Sequence, residues 1–114
     1  MFNFTIPEGE SGCYPTISQT AASATLSPQT VNVWGEMSSL TIYLDTPTTG
    51  IYNEYIFSFN SGTTATTLSL PADVAWVAPV TIEANRHYEF NIVYNDENEA
   101  YYGAMISWDW SPSA

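Results

Sequence analysis

Apolar residues recur in this chain at every second position. Val31 and Val33 flank Asn32, and Leu40, Ile42 and Leu44 are separated by Thr41 and Tyr43. Tyr55, Phe57 and Phe59 alternate with Ile56 and Ser58. A period of two puts alternate side chains on opposite faces of an extended strand, whereas a helix needs apolar residues at i, i+3, i+4 and i+7. No useful stretch has the helical spacing, so the pattern predicts strands and almost no helix. Further strands are expected at 67–70, 74–77, 80–83, 87–94 and 100–108. Pro79 lacks a ladder donor and sets the 74–77 and 80–83 strands at an edge or bend. Pro47 and Gly50 mark 45–50 as a loop, and Ser61-Gly62 as a turn. The acidic run Asn95-Asp96-Glu97-Asn98-Glu99 reads as a five-residue hairpin turn, with Phe90 and Ile92 inward opposite Ala104 and Ile106. Seven or eight short strands at this spacing predict an all-β, antiparallel β-sandwich, immunoglobulin-like or jelly-roll-like, or a small barrel.

Residues 1–28 differ in texture. Ser, Thr, Gly, Pro and Ala dominate, with Ile6, Ile17 and Leu26 as the large aliphatics. This segment reads as an extended N-terminal arm or edge segment, and 29–114 as the sandwich domain. Such an arm can join a neighbour by adding a strand to an open sheet edge. Deleting residues 2–20 is therefore expected to leave a folded domain that no longer attaches. No internal repeat is visible, which argues against a solenoid.

At 114 residues, with 45% hydrophobic and 15% aromatic residues, the chain can bury one core and no more. Twelve acids face a single base, Arg86, for a net charge of −11, and lysine is absent. That surface repels phosphate backbones and anionic lipid, so neither nucleic acid nor membrane is an expected partner. The acidity serves solubility or a cationic partner. Cys13 is the lone cysteine, which leaves no intramolecular disulfide and no C-x-x-C metal knuckle. The first twelve residues carry no cationic region followed by an apolar run, and no stretch approaches the ~20 apolar residues of a membrane span. A reducing cytosol is the expected place of synthesis, where the sequon Asn3-Phe4-Thr5 stays silent.

Candidate chemistry is thin. His87 is the only histidine, beside the only arginine, and no G-x-S-x-G elbow accompanies it. Cys13 has no cationic neighbour in sequence to activate its thiol. Paired carboxylates as in a glycosidase would need a cleft that a domain this short rarely encloses. Asp96, Glu97 and Glu99 lack the spacing of a calcium loop and read as a solvated hairpin tip. No catalytic, cofactor or metal residue is therefore assigned. Aromatics remain: Trp34, Trp76, Trp108 and Trp110. Trp108 and Trp110, which would share a strand face, and Tyr101 either pack in a core or subunit seam or form a platform on which a host-surface glycan stacks.

Three pieces of the chain resemble a module of bacteriophage virion proteins. Glu54 to Gly62 is similar to that module's first strand and Ser-Gly turn. Thr67-Leu68-Ser69-Leu70-Pro71 with Trp76 is similar to its second piece. Ile82-Glu83-Ala84-Asn85, followed by Tyr88-Glu89 and Ile92-Val93, is similar to its third. The match runs over about residues 54–94. Head-fibre, tail-fibre and capsid-decoration proteins carry this module, so the resemblance implies a non-enzymatic structural protein. It would be made in the host cytoplasm and incorporated into the virion, joined to itself as a homo-oligomer and to other virion proteins. The matched residues suit a folding motif. Asn85 stands where the family often has Gly and tolerates left-handed backbone in a tight turn after Glu83, with Trp76 and Tyr88 as packing residues beneath it.

Overall fold

The structure, a computed structural model, describes residues 14–110. These residues form nine strands and no helix: β1 (Thr16–Ser18), β2 (Ser23–Leu26), β3 (Thr30–Glu36), β4 (Ser39–Leu44), β5 (Asn53–Asn60), β6 (Thr67–Ser69), β7 (Val74–Trp76), β8 (Arg86–Asn95) and β9 (Ala100–Asp109). They make a six-stranded sheet in the order β1-β3-β5-β8-β9-β7 and a three-stranded sheet in the order β2-β4-β6. The all-β expectation stands, with seven of the strands, β3 to β9, close to where alternation puts them.

The expectation of an antiparallel fold is corrected. Only β5 with β8 and β8 with β9 run antiparallel; β1–β3, β3–β5, β2–β4, β4–β6 and β7–β9 are all parallel. From β1 to β6 the chain alternates between the sheets at every strand. Parallel neighbours need a long crossover, and β2 lies within the crossover from β1 to β3 and β4 within that from β3 to β5. The winding is therefore coil-like although no repeat is visible, because its turns differ in length: β1, β3 and β5 begin at residues 16, 30 and 53. Period-two alternation is the same in parallel and antiparallel strands, so it carries no information on direction.

The N-terminal segment supplies sheet edges. Within its described part, β1 is the outermost strand of the large sheet and β2 of the small one. Leu26 is fully buried in the core, and Trp34 Nε1 donates to Ala21 O at 2.7 Å. Residues 1–13, with Cys13, lie outside the described residues.

Residues 80–83 are not a strand. Val80 and Ile82 still pack against the core, which gives that segment a strand-like alternation without a ladder. β7 ends at Trp76, before Pro79, and lies at the sheet edge, one of the two places expected for it.

The last hairpin also differs in register. Asn95 pairs with Ala100, Phe90 with Met105 and Ile92 with Gly103. The turn has four residues because Asn95 belongs to the strand. One residue fewer in the turn reverses the face of every β9 side chain relative to β8. Gly103 and Met105 thus face inward, while Ala104 and Ile106 face out.

Tyr55, Phe57, Phe59, Tyr88, Phe90 and Ile92 of the large sheet share one core with Leu26, Leu40 and Ile42 of the small sheet. Phe57 and Phe90 stack at 4.6 Å, and Trp34 meets Phe57 edge-on at 6.4 Å. Each such side chain contributes about 1.5–3 kcal/mol through burial. Trp76 lies over the bare backbone of Gly103, where an added Cβ would collide with the indole. Buried Asn32 donates to Thr30 Oγ1 and Ile56 O and accepts from Gln19 Nε2. Among the described residues no buried side-chain polar atom lacks a hydrogen-bond partner, as a dry interior demands.

Candidate functional site

The outer face of the large sheet is the surface that the fold leaves apolar. Side chains paired across strands share a face. One outward row therefore runs Val33, Ser58, Glu89, Ile106, and the next runs Val31, Ile56, Asn91, Ala104. Flanking rows carry Glu54, Val93 and Tyr102 on one side, and Asn60, His87 and Trp108 on the other. Ile106 is 59% exposed, Trp108 47%, Tyr102 37% and Val33 37%. Val77, just past edge strand β7, adds another exposed apolar side chain.

Ala104 is small between the larger Tyr102 and Ile106, and the surface dips there. A hollow of about 300 Å³ lies among Ile56, Glu89, Asn91, Ala104 and Ile106, and one of about 220 Å³ lies among Val77, Asn91, Val93, Tyr102 and Ala104.

The polar groups of this face are tied to one another. Glu54 Oε1 accepts from the Tyr14 hydroxyl at 2.6 Å, and Oε2 accepts from Asn91 Nδ2 at 3.1 Å. The first of these bonds, with help from partial burial and the carboxylate charge, pushes the Tyr14 phenol up to about 12. His87 Nδ1 lies 2.6 Å from Asn60 Oδ1, and Nε2 lies 3.1 Å from Glu89 Oε2. The imidazole stacks on Trp108 at 4.4 Å with 28° between planes, which holds the indole upright. On the opposite parity of β8 and β9, Arg86 pairs with Asp109 at 2.8 Å and also donates to Ser107 Oγ.

The residues singled out in sequence separate. Trp108 lies on the outer face. Tyr101 turns inward, 4.9 Å from Tyr94 and 6.2 Å from Tyr55, and burial raises both the Tyr101 and Tyr55 phenols. Trp110 lies beyond β9, half-buried, its backbone N–H donating to Asn85 O. The three therefore form no common platform. Tyr102 and Ile106, which do share the face of Trp108, were missed because the five-residue turn assigned β9 the wrong parity. A four-residue turn with Asn95 as its cap would have found them.

Asn85 has φ 58°, as its place in the turn requires. The Tyr88 hydroxyl accepts from Glu83 N at 2.6 Å beneath that turn. Trp76 packs edge-on against Phe90 at 5.8 Å and over Gly103 instead. At the hairpin tip Asn95 Oδ1 accepts from Glu97 N and Asn98 N. Among the described residues no three of His, Cys, Asp and Glu assemble into a metal-binding group, and no helix is long and apolar enough to cross a membrane.

A second surface lies at the hairpin end. Ile51 and Tyr52, 50% and 65% exposed, border a hollow of about 540 Å³ with Tyr94, Asp96 and Glu97. Buried Asn53 fixes this loop, accepting from Thr48 N and donating to the carbonyls of Thr48 and Ile51. Compared with known proteins, the chain matches no family model, no curated protein and no solved structure.

Proposed function

We propose that this chain is a structural protein of a bacteriophage particle, performing no catalysis and attached to the capsid or tail by protein–protein contact. The observation that carries this reading is the outer face of the large sheet, where Ile106, Trp108, Tyr102 and Val33 are exposed together. Several exposed apolar side chains on one sheet face, interleaved with polar groups that are already hydrogen-bonded, are what a contact surface needs. The virion-module resemblance over residues 54–94 points the same way. We also infer that the two sheets face each other as the layers of a β-sandwich, since side chains of both enter one core. In this reading neither nucleic acid nor membrane is a partner, because the charge of −11 opposes both.

Immunogold labelling and quantitative mass spectrometry of purified particles test the proposal. The chain should be present in many copies per particle, and Ile106→Glu should lower incorporation about tenfold, the effect expected for loss of one central apolar contact. Particles that form normally and lack the chain would end it.

One observation favours a second reading, recognition of a host glycan. Trp108 is half-exposed and held upright by His87, and Tyr102 lies on the same face, so a sugar has aromatic surfaces to stack on. A tryptophan-fluorescence titration with cell-wall and capsular oligosaccharides should show a saturable change that disappears in Trp108→Ala. No response across the panel removes this reading.

A further inference from the structure

We infer that the outer face of the large sheet pairs with the same face of a second copy of this chain, about a twofold axis passing between Ala104 and Ile106. The inference rests on the reading of that face as a protein contact surface and names its occupant.

Charge argues first. Six acids, Asp45, Asp73, Glu83, Asp96, Glu97 and Glu99, sit in connections between strands. Of the acids on the face, Glu54 and Glu89 in its middle are already engaged by Tyr14, Asn91 and His87, and Glu36 stands at its end, in the row of Asn60. A basic partner would find no unengaged carboxylate in the middle of this surface. Copies that each carry −11 can approach only where charge is sparse and tied down, and this face meets that condition.

Shape argues next. Ile106 is a knob, 59% exposed, and the hollow beside Ala104 lies one outward position away, about 7 Å along the strand. A bump and a hollow displaced along one strand complement themselves under a twofold, because the rotation that carries one bump over the other copy's hollow does the same in return. The axis that sets Ile106 over the second copy's Ala104 also brings Trp108 against its Tyr102. Both ends of the contact are thereby closed by aromatic rings.

The area suffices. Four strands used over about seven residues, flanked by the three-residue edges β1 and β7, give on the order of 550 Å² per copy, or about 1,100 Å² in all, above the ~1,000 Å² that a specific interface needs.

The test is sedimentation equilibrium of the full chain at micromolar concentration and physiological salt. The wild type should have twice the 12.6 kDa mass of one chain. Ile106→Glu removes the knob and Ala104→Trp fills the hollow. Each should weaken pairing more than about thirtyfold with an unchanged far-ultraviolet circular dichroism spectrum, since both positions are exposed. Ile106→Lys should weaken it as much although it lowers the net charge, which separates loss of the knob from added repulsion. Tyr43→Glu, at an exposed position of β4 in the other sheet, should leave the dimer intact. A monomeric wild type, a dimer that survives Ile106→Glu, or pairing that appears only after residues 2–13 are removed would each overturn the inference. A monomeric chain whose Ile106→Glu variant still fails to enter particles defeats the pairing and leaves the proposed function standing. A dimer of a chain absent from particles does the reverse.

Discussion

Among the described residues, three non-glycine residues hold left-handed backbone, Gln29, Asn85 and Glu99, with φ of 63°, 58° and 52°. Asn85 is the one visible in sequence, because its short amide makes that region tolerable. Gln29 is held by its own side chain, whose Nε2 donates to Asn53 Oδ1 and whose Oε1 accepts from Glu54 N. Long-range bonds thus offset a strain that residue type would not forecast. Asn85→Ala should destabilise the domain by about 1 kcal/mol, while Asn85→Gly should be neutral or slightly stabilising; urea unfolding midpoints distinguish them, and equal loss in both would show that the amide itself matters. The tyrosines make a second prediction at this scale. Tyr14, Tyr55, Tyr94 and Tyr101 all have phenols raised above their ordinary value of 10.0. A raised folded pKa means that the unfolded chain releases its protons first. Stability should therefore hold below about pH 10 and fall as pH rises through about 12. Tyr14→Phe should remove part of that alkaline loss, read by melting temperature against pH, and an unchanged profile would count against the Tyr14–Glu54 bond.

At the scale of elements, the decisive strands are the ones with the weakest sequence signal. β1 is three exposed residues, yet it flanks β3 through Gln19 N to Val33 O and Val31 N to Pro15 O, and Gln19 caps the buried Asn32. Removal of residues 2–20 strips that edge and uncovers Asn32, so the deletion acts on folding as well as on the attachment it is expected to abolish. It should cost several kcal/mol, at about 1–3 for each buried polar group left without a partner. Removal of residues 2–13 keeps all of these contacts and should cost much less. Thermal denaturation of the two truncations decides the matter, and a 2–20 deletion as stable as the 2–13 deletion would show that β1 is dispensable. β9 teaches the complementary lesson. Its ten residues were legible as a strand, but its facing depended on whether Asn95 belonged to turn or strand. That single residue decided that Tyr102 and Ile106, and not Tyr101, join Trp108 on the outer face.

Across the whole molecule, a charge of −11 with one base already paired to Asp109 sets the electrostatic frame. Self-repulsion destabilises the compact state and is screened by salt. Raising sodium chloride from about 10 mM to about 0.5 M should therefore raise the melting temperature by a few degrees, corresponding to about 1 kcal/mol. Asp96→Asn with Glu97→Gln at the hairpin tip should capture part of that gain at low salt. A melting temperature that falls with salt would mean that ion pairs, not repulsion, dominate. The same screening should strengthen pairing between copies, so dimer formation and thermal stability should rise together with ionic strength.

The sequence alone determined that the chain is all-β, that Tyr55, Phe57, Phe59, Leu40 and Ile42 form its core, and that Asn85 turns the backbone before β8. Each of these follows from alternation or from the allowed φ of one residue, both local properties. Tertiary structure alone decided strand direction, the membership of β1 and β2 in the two sheet edges, and the composition of the exposed face. Direction leaves no trace in a period of two, an edge strand needs only a neighbour's backbone to pair with, and the facing of β9 hung on a turn one residue shorter than its acidic run suggests. Such properties belong to pairings between distant segments, so they arise only when the chain has closed on itself.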